Sequence, residues 1–187
     1  AFRMLPEVVW SMPPLGTFNL HGSLLPKYRG AAPINHAIIQ GETVTGVTSF
    51  KLKHEIDTGD ILLQAELPID EEDTAGTLHD KMKVLGAEII LKSVKMLETG
   101  NYSFISQSDN DATPAPKIFH NTCQINFNQS IDKVYNHIRG LSPYPAAWCV
   151  IDGTEIKILK ATKIKSSDSL QPGHIVTDQK KFLQIKC

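Results

Sequence analysis

Between Thr74 and Gly100, apolar side chains fall at Leu78, Met82, Leu85, Ile89 and Met96, the spacing of one face of a long α-helix. Thr74 is a residue type that caps a helix start, and Gly100 is one that ends it. Such a stripe must be buried against something, and its role is core packing. The residues ahead of it supply partners. Residues 44–52 and 60–67 read as strands around a polar turn, and residues 17–20 as a shorter strand. Residues 31–40 have Ile34, Ala37 and Ile38 at helical spacing before Gly41. Pro6 introduces a short helix at residues 7–10. Helix and strand signals in alternation predict an α/β unit ending near residue 100.

Past that point the character changes. Residues 101–116 are rich in Ser, Asn, Asp and Pro, the composition of an exposed connector. After a short helix expected at residues 132–139, strand signals dominate: residues 148–151, 155–161, 173–177 and 181–186. Asp152-Gly153 between two alternating runs is a strong hairpin signal. The expected plan is an α/β part over 1–100, a linker over 101–117, and a small OB-like β-barrel over 118–187. A chain of 187 residues is long enough for such a pair.

Bulk properties exclude several classes. No apolar run approaches the roughly 18–20 residues of a membrane-spanning helix, so no membrane partner is expected and a cytoplasmic location is. The three widely spaced cysteines support neither a disulfide framework nor a metal site. The net charge of −1 hides an asymmetry. Residues 1–100 carry nine Lys/Arg against thirteen Asp/Glu, and residues 101–187 ten against seven. A basic second half suits a phosphate backbone. An ordinary solvated surface would read the same way.

The chemistry concentrates in Asn19-Leu20-His21 and in the acidic turn His54-Glu55-Ile56-Asp57. Residues two apart on a strand share a face, so Asn19 and His21 point together. At the carboxyl edge of an α/β sheet they would face a ligand. A carboxylate brought near His21 would orient it and favour its cationic form. The trio of Asn, His and Asp holds an amide donor, an imidazole and a carboxylate, and no nucleophile. It suits a reaction whose substrate brings its own nucleophile while the protein stabilises an oxyanion and moves a proton. Taken singly, each piece would be a satisfied turn histidine or a solvated loop.

The run from Asn19 to Gly30, with Ser23-Leu24-Leu25-Pro26 at its centre, resembles the SLLP signature of the folate-dependent formyltransferases. The run Ile56-Asp57-Thr58-Gly59-Asp60 is similar to their second signature, and Phe2-Arg3-Met4-Leu5 to the segment that lines their pterin pocket. The likeness extends through Ser142–Trp148 and so spans nearly the whole chain. It implies a Rossmann-like catalytic domain followed by a C-terminal domain, and transfer of a one-carbon formyl group from 10-formyltetrahydrofolate as co-substrate, without a metal. Asn19, His21 and Asp57 would be the catalytic set. Phe2, Arg3, Met4, Leu5, Ser23, Leu24, Leu25, Pro26, His54 and Glu55 would form the folate pocket. Arg29-Gly30-Ala31-Ala32-Pro33 and Asp57-Thr58-Gly59 resemble the branch that formylates initiator methionyl-tRNA for translation initiation. The alternative branch acts on an amino-sugar nucleotide.

A reading of another class makes the β-rich half a nucleic-acid-binding module without activity. Tyr144 and Trp148 lie in a Pro-rich stretch expected to pack, so no base stacking is expected. Lys157, Lys160, Lys163 and Lys165 are expected to meet tRNA phosphates. Both ends read as those of a fragment. The resemblance implies a preceding nucleotide-fold half that clamps the tRNA acceptor stem, and barrel strands beyond the last residue. This piece alone is expected to be inactive, and the protein a monomer.

Overall fold

The computed structural model describes residues 5–165 and 169–187. Phe2, Arg3 and Met4 lie outside the described residues; Leu5 is half exposed beside the short helix α1 (Glu7–Trp10).

The first half is α/β. Its sheet has the order β1-β3-β4, formed by β1 (Phe18–His21), β3 (Val44–Lys51) and β4 (Ile61–Pro68), all antiparallel. Helix α2 (Pro33–Ile39) and the long α3 (Ala75–Thr99) pack against it. Thr74 caps α3 as its spacing predicts: its side chain accepts from the Thr77 amide, and the Thr77 hydroxyl takes the Thr74 amide. Gly100 ends the helix at φ 68°. Leu78, Met82 and Ile89 are buried with Ala37, Ile38 and Val47, while Leu85 is partly buried against that core. Each fully buried aliphatic side chain there contributes about 1.5–3 kcal/mol. A buried Ser49–Ser93 hydroxyl pair at 2.7 Å ties β3 to α3.

The segment expected to be an exposed connector is laced to this half. Ile105 exchanges both backbone hydrogen bonds with Ile61, at 2.8 and 2.9 Å. The two-residue strands β2 (Arg29–Gly30) and β5 (Pro114–Ala115) pair in parallel. Its polar composition reflects exposed side chains; the backbone is engaged.

The second half has its own core of Cys123, Ile125, Val134, Ile138, Leu141, Ala147 and Cys149. Helix α4 (Ile131–Leu141) covers it. The Asp152-Gly153 hairpin is present, joining β6 (Ala147–Ile151) to β7 (Thr154–Ile158) with φ of 49° and 76° at the turn. A second hairpin joins β8 (Ile175–Thr177) and β9 (Leu183–Ile185). No ladder joins the two hairpins among the described residues, so the expected barrel is represented by two separate pairs. Ile158 and Ile185 nevertheless pack against one shared core.

The halves are closely joined. Arg139 of α4 donates from Nη1 to the Asp70 and Asp73 carbonyls at 3.2 and 3.0 Å. Asn35 of α2 donates to the Gly140 carbonyl at 2.8 Å.

Candidate active site

Pleating of β1 puts Leu20 on one face, packed into the first core, and Asn19 and His21 on the other. A one-residue slip would turn the amide and imidazole into the first core and put the leucine on the opposite face, so the pairing of His21 with Thr48 fixes which side carries them. Asn19 is exposed; its Oδ1 accepts from the Leu20 amide at 2.9 Å, which leaves the Nδ2 donors without a partner among the described residues.

His21 is only 6% exposed. Its ring meets Phe50 edge-on, with centroids 6.4 Å apart. Nε2 lies 2.7 Å from the Tyr28 carbonyl oxygen, which can only accept, so Nε2 carries the proton. Nδ1 stands 3.6 Å from Oδ2 of Asp57, an ion-pair distance too long for a hydrogen bond.

Asp57 sits in the turn between β3 and β4 at φ 55°. Its Oδ2 also accepts from the Gly30 amide at 2.9 Å. Two glycines make this possible. A Cβ at Gly59 would overlap the Lys51 carbonyl, and one at Gly30 (φ 128°) would stand 2.5 Å from the Ala115 oxygen. Next to Asp57, the Lys53 ammonium holds the Asp60 carboxyl below the usual carboxylate range against the opposing effect of burial.

Gln107 closes the turn from outside. Its Nε2 donates to the Asp57 and Gly59 carbonyls at 2.9 and 2.7 Å, and its Oε1 accepts from Nε and Nη2 of Arg29 at 3.0 and 2.9 Å. Sequence reading missed Gln107, Tyr28 and the Gly30 amide. Gln107 is one polar residue in a polar stretch, and the other two contribute backbone atoms, which carry no residue-type signal.

The remaining expected residues divide. Ser23 and Leu25 are buried and spent on the loop itself. The Ser23 hydroxyl donates to the Lys27 carbonyl at 2.6 Å, and Gln64 donates to the Leu25 carbonyl at 2.9 Å. Both side chains are turned into the protein. Leu24 and Pro26 are half-buried, and His54 and Glu55 are exposed on the Asp57 turn. Among the four lysines, Lys163 is committed elsewhere, with its ammonium 2.8 Å from Glu71 and 3.1 Å from Asp132. Lys157, Lys160 and Lys165 are exposed and make no ion pair among the described residues. Trp148 packs on the second core, donating to the His120 carbonyl at 2.8 Å and stacking on the His120 ring. Tyr144, expected to pack, is 83% exposed. It flanks the Pro143 and Pro145 corner at the end of α4, where no element covers it.

A cavity of about 720 Å³ lies in the second half, between Ile131, Val134, Ile158, Val176 and Ile185, and includes none of Asn19, His21 and Asp57. Apolar side chains line it together with Lys157, Lys160 and Lys163, and Asn19, His21 and Asp57 lie apart from it in the first half. No cluster of three or more metal-ligating side chains occurs among the described residues. No described helix is long and apolar enough to cross a membrane.

Residues 2–94 match the family described as Formyl transferase, and residues 117–187 match Formyl transferase, C-terminal domain. The methionyl-tRNA formyltransferase of Bacteroides fragilis is 50% identical across 99% of this chain and 60% of its own length. That of Porphyromonas gingivalis is 55% identical across 79% of this chain and 47% of its own length. The chain thus spans about 60% of the length of curated relatives such as those of Bacteroides fragilis, Phocaeicola vulgatus and Bacteroides thetaiotaomicron. Among solved structures, an N-formyltransferase from Helicobacter canadensis in complex with folinic acid and dTDP-3-aminofucose superposes with a TM-score of 0.73 at 25% identity, covering 90% of this chain and 61% of that one. HypX from Aquifex aeolicus in complex with tetrahydrofolic acid gives 0.74 at 20% identity, covering 86% and 28%, a likeness of fold.

Proposed function

This chain belongs to the formyl transferase family, and from that premise we propose that it is the part of an enzyme that passes the formyl group of 10-formyltetrahydrofolate to the amino group of initiator methionyl-tRNA. The observation that carries the reading is the His21–Asp57 pair at 3.6 Å, with Asn19 on the same strand face and none of the three a nucleophile. The acceptor amine supplies the nucleophile. Unspent Nδ2 donors on Asn19 fit a formyl oxygen, which gains negative charge as the amine attacks. His21 turns toward that oxygen the Nε2 proton it otherwise gives the Tyr28 carbonyl, and Asp57 keeps the ring turned and relays the proton lost by the amine to N10 of the folate as the bond between N10 and the formyl carbon breaks. The folate sits over the Asp57 turn, against backbone groups near His54 and Glu55.

The acceptor is read from the relatives. Those at about 50% identity are methionyl-tRNA formyltransferases, whereas the structural neighbour crystallised with an amino-sugar nucleotide is at 25%. That acceptor fits a role in translation initiation in the cytoplasm, and we propose that the enzyme acts as a monomer. The two C-terminal hairpins share one apolar core, which supports their belonging to one small OB-like barrel that helps hold the tRNA backbone.

The test is His21→Ala in the full-length enzyme. Loss of one such donor lowers kcat by roughly 10²–10³, and circular dichroism should remain native, because the ring lies at a sheet edge. A variant that kept more than about a tenth of the wild-type rate would overturn the assignment.

A further inference from the structure

Resting on the function proposed above, we propose that Gln107, in the strap between the two halves, is a positioning residue that sets the Asp57 turn against His21. A primary amide has two donor hydrogens and one oxygen with two lone pairs. Gln107 spends all four: two on the Asp57 and Gly59 carbonyls, two on the Nε and Nη2 edge of Arg29. The partners fix which end is which, since carbonyls only accept and a guanidinium only donates. Arg29 is itself anchored by Asp109 at 2.8 Å, and its own amide bonds the Thr113 carbonyl at 2.9 Å.

The strap thus grips both walls of the site. On one side it holds the Arg29–Gly30 backbone, whose Gly30 amide reaches Asp57 Oδ2. On the other it holds the turn that carries Asp57 at positive φ. One wall is the two-residue strand β2 and the other is an irregular turn, and the Gln107 side chain bonds to both, so it helps set the distance between them. The Asp57 carboxylate meets the imidazole at 3.6 Å, where a small shift of the turn decides whether it approaches or departs. Displacement of a reacting group by about 1 Å costs up to a hundredfold in rate.

No substitution reproduces all four bonds. Methionine keeps the length without the polarity. Asparagine keeps the polarity but falls one methylene short of spanning the carbonyls and Arg29. In the full-length enzyme, Gln107→Met should lower kcat by roughly ten- to a hundredfold, with KM for the formyl-folate within about twofold of wild type. Gln107→Asn, a milder change should the first variant fail to fold, should show the same split. Added to Asp57→Asn, Gln107→Met should lower the residual rate by less than about threefold, because a residue acting through Asp57 has little left to position. A Gln107 variant with wild-type kcat would overturn the proposal, and so would losses that multiply in the double mutant. If Asp57→Asn itself were nearly as active as wild type, the function assigned to the site would fall and the positioning role with it. If Asp57→Asn is crippled and Gln107→Met is not, only the role of Gln107 falls.

Discussion

His21 spends both ring nitrogens inside the protein, one on the Tyr28 carbonyl and one toward Asp57. Under the function proposed, a formyl oxygen would compete with Tyr28, a residue at φ 61° in the loop after the SLLP run. The Tyr28 hydroxyl anchors that loop through Glu42 at 2.8 Å, and burial, then the Glu42 carboxylate, push it above the usual phenol range. It stays protonated and acts as a brace. The glycine behind Asp57 is more exacting. At Gly59 any Cβ meets the Lys51 backbone, which cannot swing away as a side chain could. Gly59→Ala should destabilise the protein by at least about 2 kcal/mol and abolish activity through displacement of the turn. Urea unfolding and kcat together check this; a stable, active alanine variant would mean that the Lys51–Asp60 ladder yields.

At the scale of elements, the start of α3 carries a titratable anchor. Asp73 is buried, which alone would raise its carboxyl pKa. The Lys81 ammonium at 2.7 Å, the Asp70 amide at 2.8 Å and the Thr77 hydroxyl at 2.9 Å outweigh that and lower it. A depressed folded-state value stabilises the fold above the unfolded value of about 3.9, and the contribution is lost as pH falls through the folded value. Asp73→Asn should therefore cost about 1–3 kcal/mol at pH 7, and the gap to wild type should close toward pH 3. Equal gaps at both pH values would show that the anchor works by shape alone. Helix α3, its cap and the Asp152-Gly153 hairpin were legible because each is a local pattern: a stripe, a Thr four residues before Leu78, a two-residue turn. The Asn19, His21, Asp57 trio was legible as residue types on a predicted edge and turn. The lacing of residues 101–117 was not, because Ile105 and Ala115 pair through backbone atoms with partners far away in sequence. The commitment of Lys163 was hidden for the same reason, since Glu71 lies 92 positions away.

At the scale of the whole molecule, the charge split points to a division of labour, and Lys163 separates two explanations of it. Glu71 lies just before α3 and Asp132 in α4, so Lys163 bridges the halves; hydrogen bonds to both carboxylates raise its ammonium above the usual lysine range. Such a residue serves the joint between the halves, alongside Arg139. Lys157, Lys160 and Lys165 have no such duty. If they meet the phosphate backbone, the lost interaction in Lys157→Ala/Lys160→Ala/Lys165→Ala is uniform binding. KM for methionyl-tRNA should then rise with kcat little changed. The salt dependence of tRNA binding should flatten by up to about one unit of slope per contact removed. The KM for formyl-folate should not move, because Asn19, His21 and Asp57 lie in the other half. Lys163→Ala should leave the salt slope alone and lower the unfolding midpoint instead. A triple variant with unaltered tRNA KM and slope would assign the basic half to solvation. A Lys163 variant that flattened the slope would mean its carboxylate partners release it when tRNA binds.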